Sequence, residues 1–184
     1  MRFEDQRLLW TVDDAYSTNE CRAFVDLIER SEPAIATNNP LYRDQDRVIR
    51  DDPAIADDLF RRLRPHLPET MGPLRLVGLN PRLRFYRYQP GQRFHPHMDH
   101  WYFPSETRVT LHTVLAYFNE DFEGGETRFY EQLEQTVVPK TGMIAIFQHK
   151  IRHEGCPVIR GAKYAMRSDV IYESSDPIVR AAAG

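Results

Sequence analysis

The chain reads as two helical periods followed by a run of short alternating strands. Ala23, Phe24, Leu27 and Ile28 recur at the spacing of one helix face. Ser17 stands before them with Glu20 three residues on. That pair is a capping box, in which each side chain can accept from a backbone N–H left open by the first turn. A helix over about residues 18–31 is therefore predicted. Ile55, Leu59, Phe60 and Leu63 form a second apolar face. Asp52 is its N-cap, Pro53 occupies the first helical position where no N–H is missed, and the prolines at 65 and 68 end it. Residues 32–51, between the two helices, are polar and proline-containing with no clear period, and read as a surface loop and candidate lid.

The grammar changes at residue 74. Short β-rich runs lie at 74–78, 82–89, 109–118, 127–130, 136–138, 143–148 and 163–173. Turn signals separate them: Asn80-Pro81, Pro90-Gly91, Gly124-Gly125, residues 139–142, and Gly161. Strands this short and this regular argue for a sandwich or barrel. Helices first and about eight strands after them give an α+β domain with helices packed outside a barrel-like double sheet. No repeat, low-complexity tract or linker divides residues 1–184, so one domain is expected, helical over about 1–70 and barrel over about 74–173.

Composition narrows the classes. A chain of 184 residues can bury a real core. A formal charge of −3 gives no pull toward nucleic acid or acidic membranes. No apolar run approaches the roughly 20 residues a spanning helix needs. The opening MRFEDQRLLW carries acids and bases and no apolar signal core, so a cytoplasmic protein is expected. Cys21 and Cys156, far apart in sequence, then read as free thiols.

The densest group of ligand-type residues is Phe94-His95-Pro96-His97-Met98-Asp99-His100. On an extended strand, residues two apart point the same way, so His97 and Asp99 can face one point. His153 is the best candidate for a third ligand. Two imidazoles and one carboxylate on one face of a metal suit Fe(II) and leave positions open for a co-substrate and O₂. His-x-Asp alone is a weak signal, and His95-x-His97 offers a rival pairing of cupin or zinc type. Ten residues beyond His153 stands Lys163, with Pro157 and Gly161 between them to turn the chain back. A lysine deep in the barrel needs an anionic partner, and the distal carboxylate of 2-oxoglutarate would serve. Tyr88 and Tyr117 are strand tyrosines able to donate to the same molecule.

The sequence resembles the prolyl 4-hydroxylase-like branch of the Fe(II)/2-oxoglutarate-dependent oxygenases. The resemblance is carried by Arg87-Tyr88-Gln89-Pro90-Gly91, His97-Met98-Asp99, Ala116-Tyr117-Phe118-Asn119, Glu123-Gly124-Gly125-Glu126-Thr127, the run His153 to Val158, and Gly161-Ala162-Lys163-Tyr164. These stand in family order over about residues 82–173. The resemblance implies a double-stranded β-helix, a jelly-roll barrel of cupin type, with the two N-terminal helices bracing one sheet. It implies Fe(II) held by His97, Asp99 and His153. The C5 carboxylate of 2-oxoglutarate would lie on Lys163, beside Tyr88 and Tyr117. The implied reaction couples decarboxylation of 2-oxoglutarate to succinate with O₂-dependent hydroxylation of a substrate C–H bond. The implied substrate is a prolyl or other residue of a protein or peptide.

The remaining candidates bear on the substrate. Arg84 shares a strand face with Tyr88, and Arg167 and Asp169 share one with Lys163. They form either a buried charge network or a polar pocket for a carboxylate and an amine. The second case favours a free amino acid or similar small molecule. Asp169 also stands near a point where prolyl hydroxylases often place a tryptophan, which weakens the case for peptidyl-proline. Trp101 opens an aromatic stretch, Trp101-Tyr102-Phe103, able to close over the site or to anchor its rim. His95 and His100 read as strand-edge residues, His149 as a hydrogen-bonding support for the site, and His66 and His112 as incidental. Two rivals from other classes are a cupin-like metal-binding or sensor protein without turnover, which would not need Lys163, and a zinc hydrolase, which lacks a placed general base.

Overall fold

The structure, a computed structural model, describes residues 7–35, 43–131 and 133–178. In chain order the elements are β1 (Leu9–Val12), α1 (Thr18–Arg30), β2 (Ala34–Ile35), β3 (Asp46–Asp51) and α2 (Pro53–Leu63). There follow β4 (Thr70–Met71), β5 (Leu74–Leu79), β6 (Arg82–Tyr88), β7 (Phe94–His97) and β8 (Arg108–Tyr117). The last set is β9 (Glu123–Gly124), β10 (Thr127–Phe129), β11 (Thr136–Val137), β12 (Ile144–Gln148), β13 (His153–Gly155), β14 (Val158–Arg160) and β15 (Lys163–Glu173).

Both helices start where their caps direct. The Ser17 hydroxyl accepts from the Glu20 amide while the Glu20 carboxylate accepts from the Ser17 amide at 2.8 Å. Asp52 accepts from the Ile55 amide at 3.2 Å, with Pro53 at the first helical position. The apolar stripes of the helices lie on the outer face of a large antiparallel sheet ordered β1-β12-β8-β15-β6-β3-β2, in which β5 also pairs with β15 and β4 with β5. Cys21, Ile28, Leu59 and Leu63 meet Leu83, Phe85, Val114, Ala116, Ile144, Ile146, Met166 and Val170 there. Phe24 stacks on Phe118 with ring centroids 4.6 Å apart. Full burial of each Leu or Phe contributes about 1.5–3 kcal/mol, so this seam fixes the large sheet firmly.

The inner face of the large sheet meets a small sheet ordered β11-β10-β13-β7. Tyr117, Phe129, Met143, Ala145, Phe147 and Ala165 fill the space between them. Two antiparallel sheets face to face, with helices outside one of them, are the double-stranded β-helix expected from the sequence. Pro96 sits in β7, an edge strand of the small sheet, where a missing N–H breaks no ladder.

The reading of residues 32–51 as loop is corrected. Residues 46–51 form β3, paired with β6 from Asp46↔Arg87 to Asp51↔Arg82, and Ala34–Ile35 pair with β3; residues 36–42 lie outside the described part. The strand was hidden because its inward face mixes Arg47 with Ile49, which lie across from Tyr86 and Arg84. Its outward Asp46 bonds Arg87 at 2.8 Å. Charge on both faces erases the alternation that marks a half-buried strand. The short β1 also escaped, though it pairs with β12 from Leu9↔Phe147 to Val12↔Ile144.

Candidate active site

The two sheets meet around a narrow pocket lined by Tyr86, Tyr88, Phe94, His97, Asp99, Thr113, Leu115, Thr127, Phe147, His153, Gly155, Lys163, Ala165 and Arg167. The small sheet supplies the ligand-type side chains. His153 on β13 is the cross-strand partner of His97 on β7, which sets the imidazoles side by side, 4.3 Å between ring centroids. Asp99 lies two residues beyond His97, with one carboxylate oxygen 3.8 Å from each imidazole Nε2. One donor atom from each of the three lies within 4.8 Å of the others.

Hydrogen bonding sets the tautomers. Nδ1 of His97 lies 2.8 Å from the His95 carbonyl, and Nδ1 of His153 lies 2.9 Å from the Ile151 carbonyl. A carbonyl only accepts, so each Nδ1 carries the proton and each Nε2 presents its lone pair toward Asp99. Burial and then the neighbouring His153 push His97 down to about 4, and burial likewise pushes His153 below its usual value. Burial alone would raise the Asp99 carboxyl. The Arg167 guanidinium, His153, His149 and the Thr113 hydroxyl together hold it well below the usual carboxylate range. Two neutral imidazoles and an ionised carboxylate thus converge as the donor set of a 2-His-1-carboxylate metal site, and they fit Fe(II).

The large sheet supplies the other half. Lys163 opens β15 opposite Tyr88 of β6, and Tyr117 is opposite Ala165 on the other flank. Lys163 is buried, with Nζ over the Tyr88 and Tyr117 rings at 5.1 and 5.3 Å. The ammonium donates to the Gly125 carbonyl at 2.6 Å, and among the described residues no carboxylate lies within ion-pair distance of it. Tyr117 Oη is 2.8 Å from Thr127 Oγ1. The turn before Thr127 cannot carry side chains. Gly124 has φ +74°, and a Cβ there would stand 2.3 Å from the Pro157 carbonyl; Gly125 has φ +68° and presses on Phe122 and Lys163.

Burial pushes Lys163 down to about 8 from an ordinary 10.5. Between those values the unfolded chain binds a proton that the folded chain does not. The Lys163 contribution therefore raises stability as pH climbs from about 8 to 10.5, and the charged form is a cost below that window. Denaturant melts of ligand-free protein at pH 7.5 and 9.5 should show this rise. Lys163→Met should abolish it; an identical pH response in the variant would contradict the burial argument.

The structure also places the remaining sequence candidates. Arg167 lines the pocket and donates to Asp99 at 2.6 Å and to Asp169 at 2.9 Å; Arg84 donates to Asp169 at 3.2 Å. The charge network and the polar pocket are thus one object. Arg84 and Asp169 reach the cavity through Arg167 rather than by lining it. Trp101 is partly exposed on the rim with Lys150 Nζ 5.0 Å above its ring, and is not among the lining residues. His149 bonds Thr113 at 2.9 Å, in the supporting place expected for it. His112 is a fully buried core ring against Trp10 and Tyr172. Cys21 and Cys156 are buried free thiols. Sequence reasoning missed Thr113, whose hydroxyl donates to Asp99 at 2.5 Å. Its parity on β8, four residues before Tyr117, was the available signal.

Residues 83–168 match the family described as the 2OG-Fe(II) oxygenase superfamily, whose members use Fe(II), 2-oxoglutarate and O₂. Residues 83–168 thus carry that family's pattern, and the fold around them is prolyl hydroxylase-like. Among solved structures it is similar to a viral collagen prolyl hydroxylase from Paramecium bursaria chlorella virus 1 in its 2OG complex. That similarity has 21% identity and TM-score 0.73, covering 92% of this chain and 98% of the other. A prolyl-4-hydroxylase from Pseudomonas putida aligns at 16% identity and TM-score 0.67, covering 93% and 95%. A Trichoplax adhaerens prolyl hydroxylase, in complex with a hypoxia inducible factor peptide fragment, aligns at 14% and 0.67, covering 90% and 84%. No curated protein sequence matches the chain. Among the described residues no helix is long and apolar enough to cross a membrane.

Proposed function

We propose that this chain is an Fe(II)- and 2-oxoglutarate-dependent hydroxylase in which His97, Asp99 and His153 hold the metal and Lys163 binds the distal carboxylate of 2-oxoglutarate. One observation carries the reading: three converging donors share a pocket with a buried lysine that has no carboxylate partner among the described residues. When bound, iron and 2-oxoglutarate supply the oxidising chemistry, consuming O₂ and releasing succinate and CO₂ as one oxygen atom enters a substrate C–H bond. The protein's own part is placement. Lys163 turns a buried charge from a cost into a charge-assisted hydrogen bond. Tyr88 and Tyr117 stand beside it as hydrogen-bonding neighbours. Phe94, Leu115 and Phe147 keep water from the reacting atoms.

The leading substrate is a prolyl or other residue of a protein or peptide, supported by likeness to prolyl hydroxylases. A free amino acid or similar small molecule is the second reading, and Arg167 favours it. Its guanidinium lines the pocket beside Asp99, where a substrate carboxylate could meet it. Turnover of 1-labelled 2-oxoglutarate tests both readings. Labelled CO₂ should be released in an iron-dependent way, stimulated either by prolyl peptides or by free amino acids. Release that ignores iron, or that persists unchanged in His97→Ala, would reject the oxygenase assignment of this site.

A further inference from the structure

A chain of buried hydrogen bonds runs from the exposed aromatic rim to the Asp99 carboxylate, and donor counting gives it a single direction. The Asp99 carboxylate can only accept, so the Thr113 hydroxyl proton is committed to Oδ2 at 2.5 Å. Thr113 Oγ1 must then accept from His149 Nδ1, 2.9 Å away, which fixes the His149 proton on Nδ1. Nε2 of the neutral ring accepts from the Thr110 hydroxyl at 3.0 Å. Thr110 Oγ1 accepts in turn from the Tyr102 amide at 3.0 Å. Two backbone bonds close the same path: the Asp99 amide donates to the His149 carbonyl at 2.8 Å, and the Thr110 amide to the Tyr102 carbonyl at 2.9 Å.

Thr110, Thr113 and His149 are essentially fully buried. Each of their side-chain polar atoms is bonded within the path, so the path is continuous from Tyr102 to Asp99. At one end of the path is a carboxylate whose two oxygens each stand 3.8 Å from one imidazole Nε2, so its orientation sets the donor geometry. At the other, Trp101 and Tyr102 are exposed, as is Met98 next to Asp99 in the chain.

We propose that Thr110, His149 and Thr113 form a directional relay that couples the order of the Trp101–Phe103 loop to the orientation of Asp99, and through it to metal binding. The proposal rests on Asp99 being a metal ligand. Linkage makes the coupling reciprocal: metal at Asp99 steadies the Tyr102 amide, and a steadied loop tightens metal. His149 and Thr113 act through Asp99 and are positioning residues.

Titration with Co(II) alone, read by its visible bands, together with hydrogen exchange at the Tyr102 amide, tests the relay. In wild type, Co(II) should slow Tyr102 exchange. Thr113→Val removes the donor to Oδ2; it should weaken Co(II) binding by roughly tenfold or more, as loss of a ligand's supporting partner does, and abolish the slowing. Thr113→Ser, which keeps the hydroxyl, should restore both. His149→Asn places an amide N–H where Nδ1 stood but cannot reach Thr110. It should hold Co(II) affinity near wild type while losing the metal-induced slowing at Tyr102. A Thr113→Val variant with wild-type Co(II) affinity, or His149→Asn that keeps the slowing, overturns the relay and leaves the metal site standing. Wild type that takes up no Co(II) overturns the metal site and the relay together.

Discussion

Asp99→Ala should abolish metal binding and also destabilise the metal-free fold by about 3 kcal/mol, the scale expected when one partner of a buried ion pair is removed. Both effects follow from what surrounds the carboxylate. Arg167 reaches Asp99 at 2.6 Å from a partly buried position, and Thr113 spends its only proton on the other oxygen. Truncation strands the guanidinium with Asp169 alone and leaves the hydroxyl without its acceptor. Asp99→Asn keeps the shape and one accepting oxygen. It should fold better than the alanine variant yet lose metal as fully, because the amide brings no charge. Denaturant midpoints and Co(II) titration of the two variants separate the effects. An alanine variant as stable as wild type would show that the Arg167–Asp99 pair carries no stability.

Lys163→Met should gain stability and lose co-substrate binding. The ammonium is buried with a neutral carbonyl as its acceptor, which makes its charge a standing cost in the ligand-free protein. Methionine fills most of the same space between the Tyr88 and Tyr117 rings without the charge. The variant should melt a few degrees higher than wild type without ligand, since about 1 kcal/mol moves the midpoint by roughly 2–4 °C in a domain of this size. Its affinity for 2-oxoglutarate should fall by about a hundredfold, the scale of a lost buried charge-assisted bond. Thermal shift with and without 2-oxoglutarate reads both. A methionine variant that is less stable and still stabilised by 2-oxoglutarate would remove Lys163 from the anchoring role.

Much of this site was legible because local rules suffice for it. His97 and Asp99 follow from strand parity, and the helices from Ser17, Glu20, Asp52 and Pro53, whose caps close within four residues. Lys163 was legible through the turn that brings β15 back. Facts that depend on two sheets meeting were not legible. Nothing local says that Arg167 of the large sheet reaches Asp99 on the rim of the small one, or that Thr113 and His149 meet beneath it. β3 was lost for the opposite reason. Its alternation was masked by charge on both faces, with Arg47 across from Tyr86 on one and Asp46 across from Arg87 on the other.

The most direct test of the account is anaerobic titration of metal-free protein with Fe(II) and 2-oxoglutarate, followed by visible absorption. It needs no knowledge of the substrate. A charge-transfer band that requires both additions is expected; His97→Ala should lack it, and Lys163→Met should need far more 2-oxoglutarate to reach it. Tight metal binding with no such band at any 2-oxoglutarate concentration would contradict the account and leave a cupin-like metal site in its place.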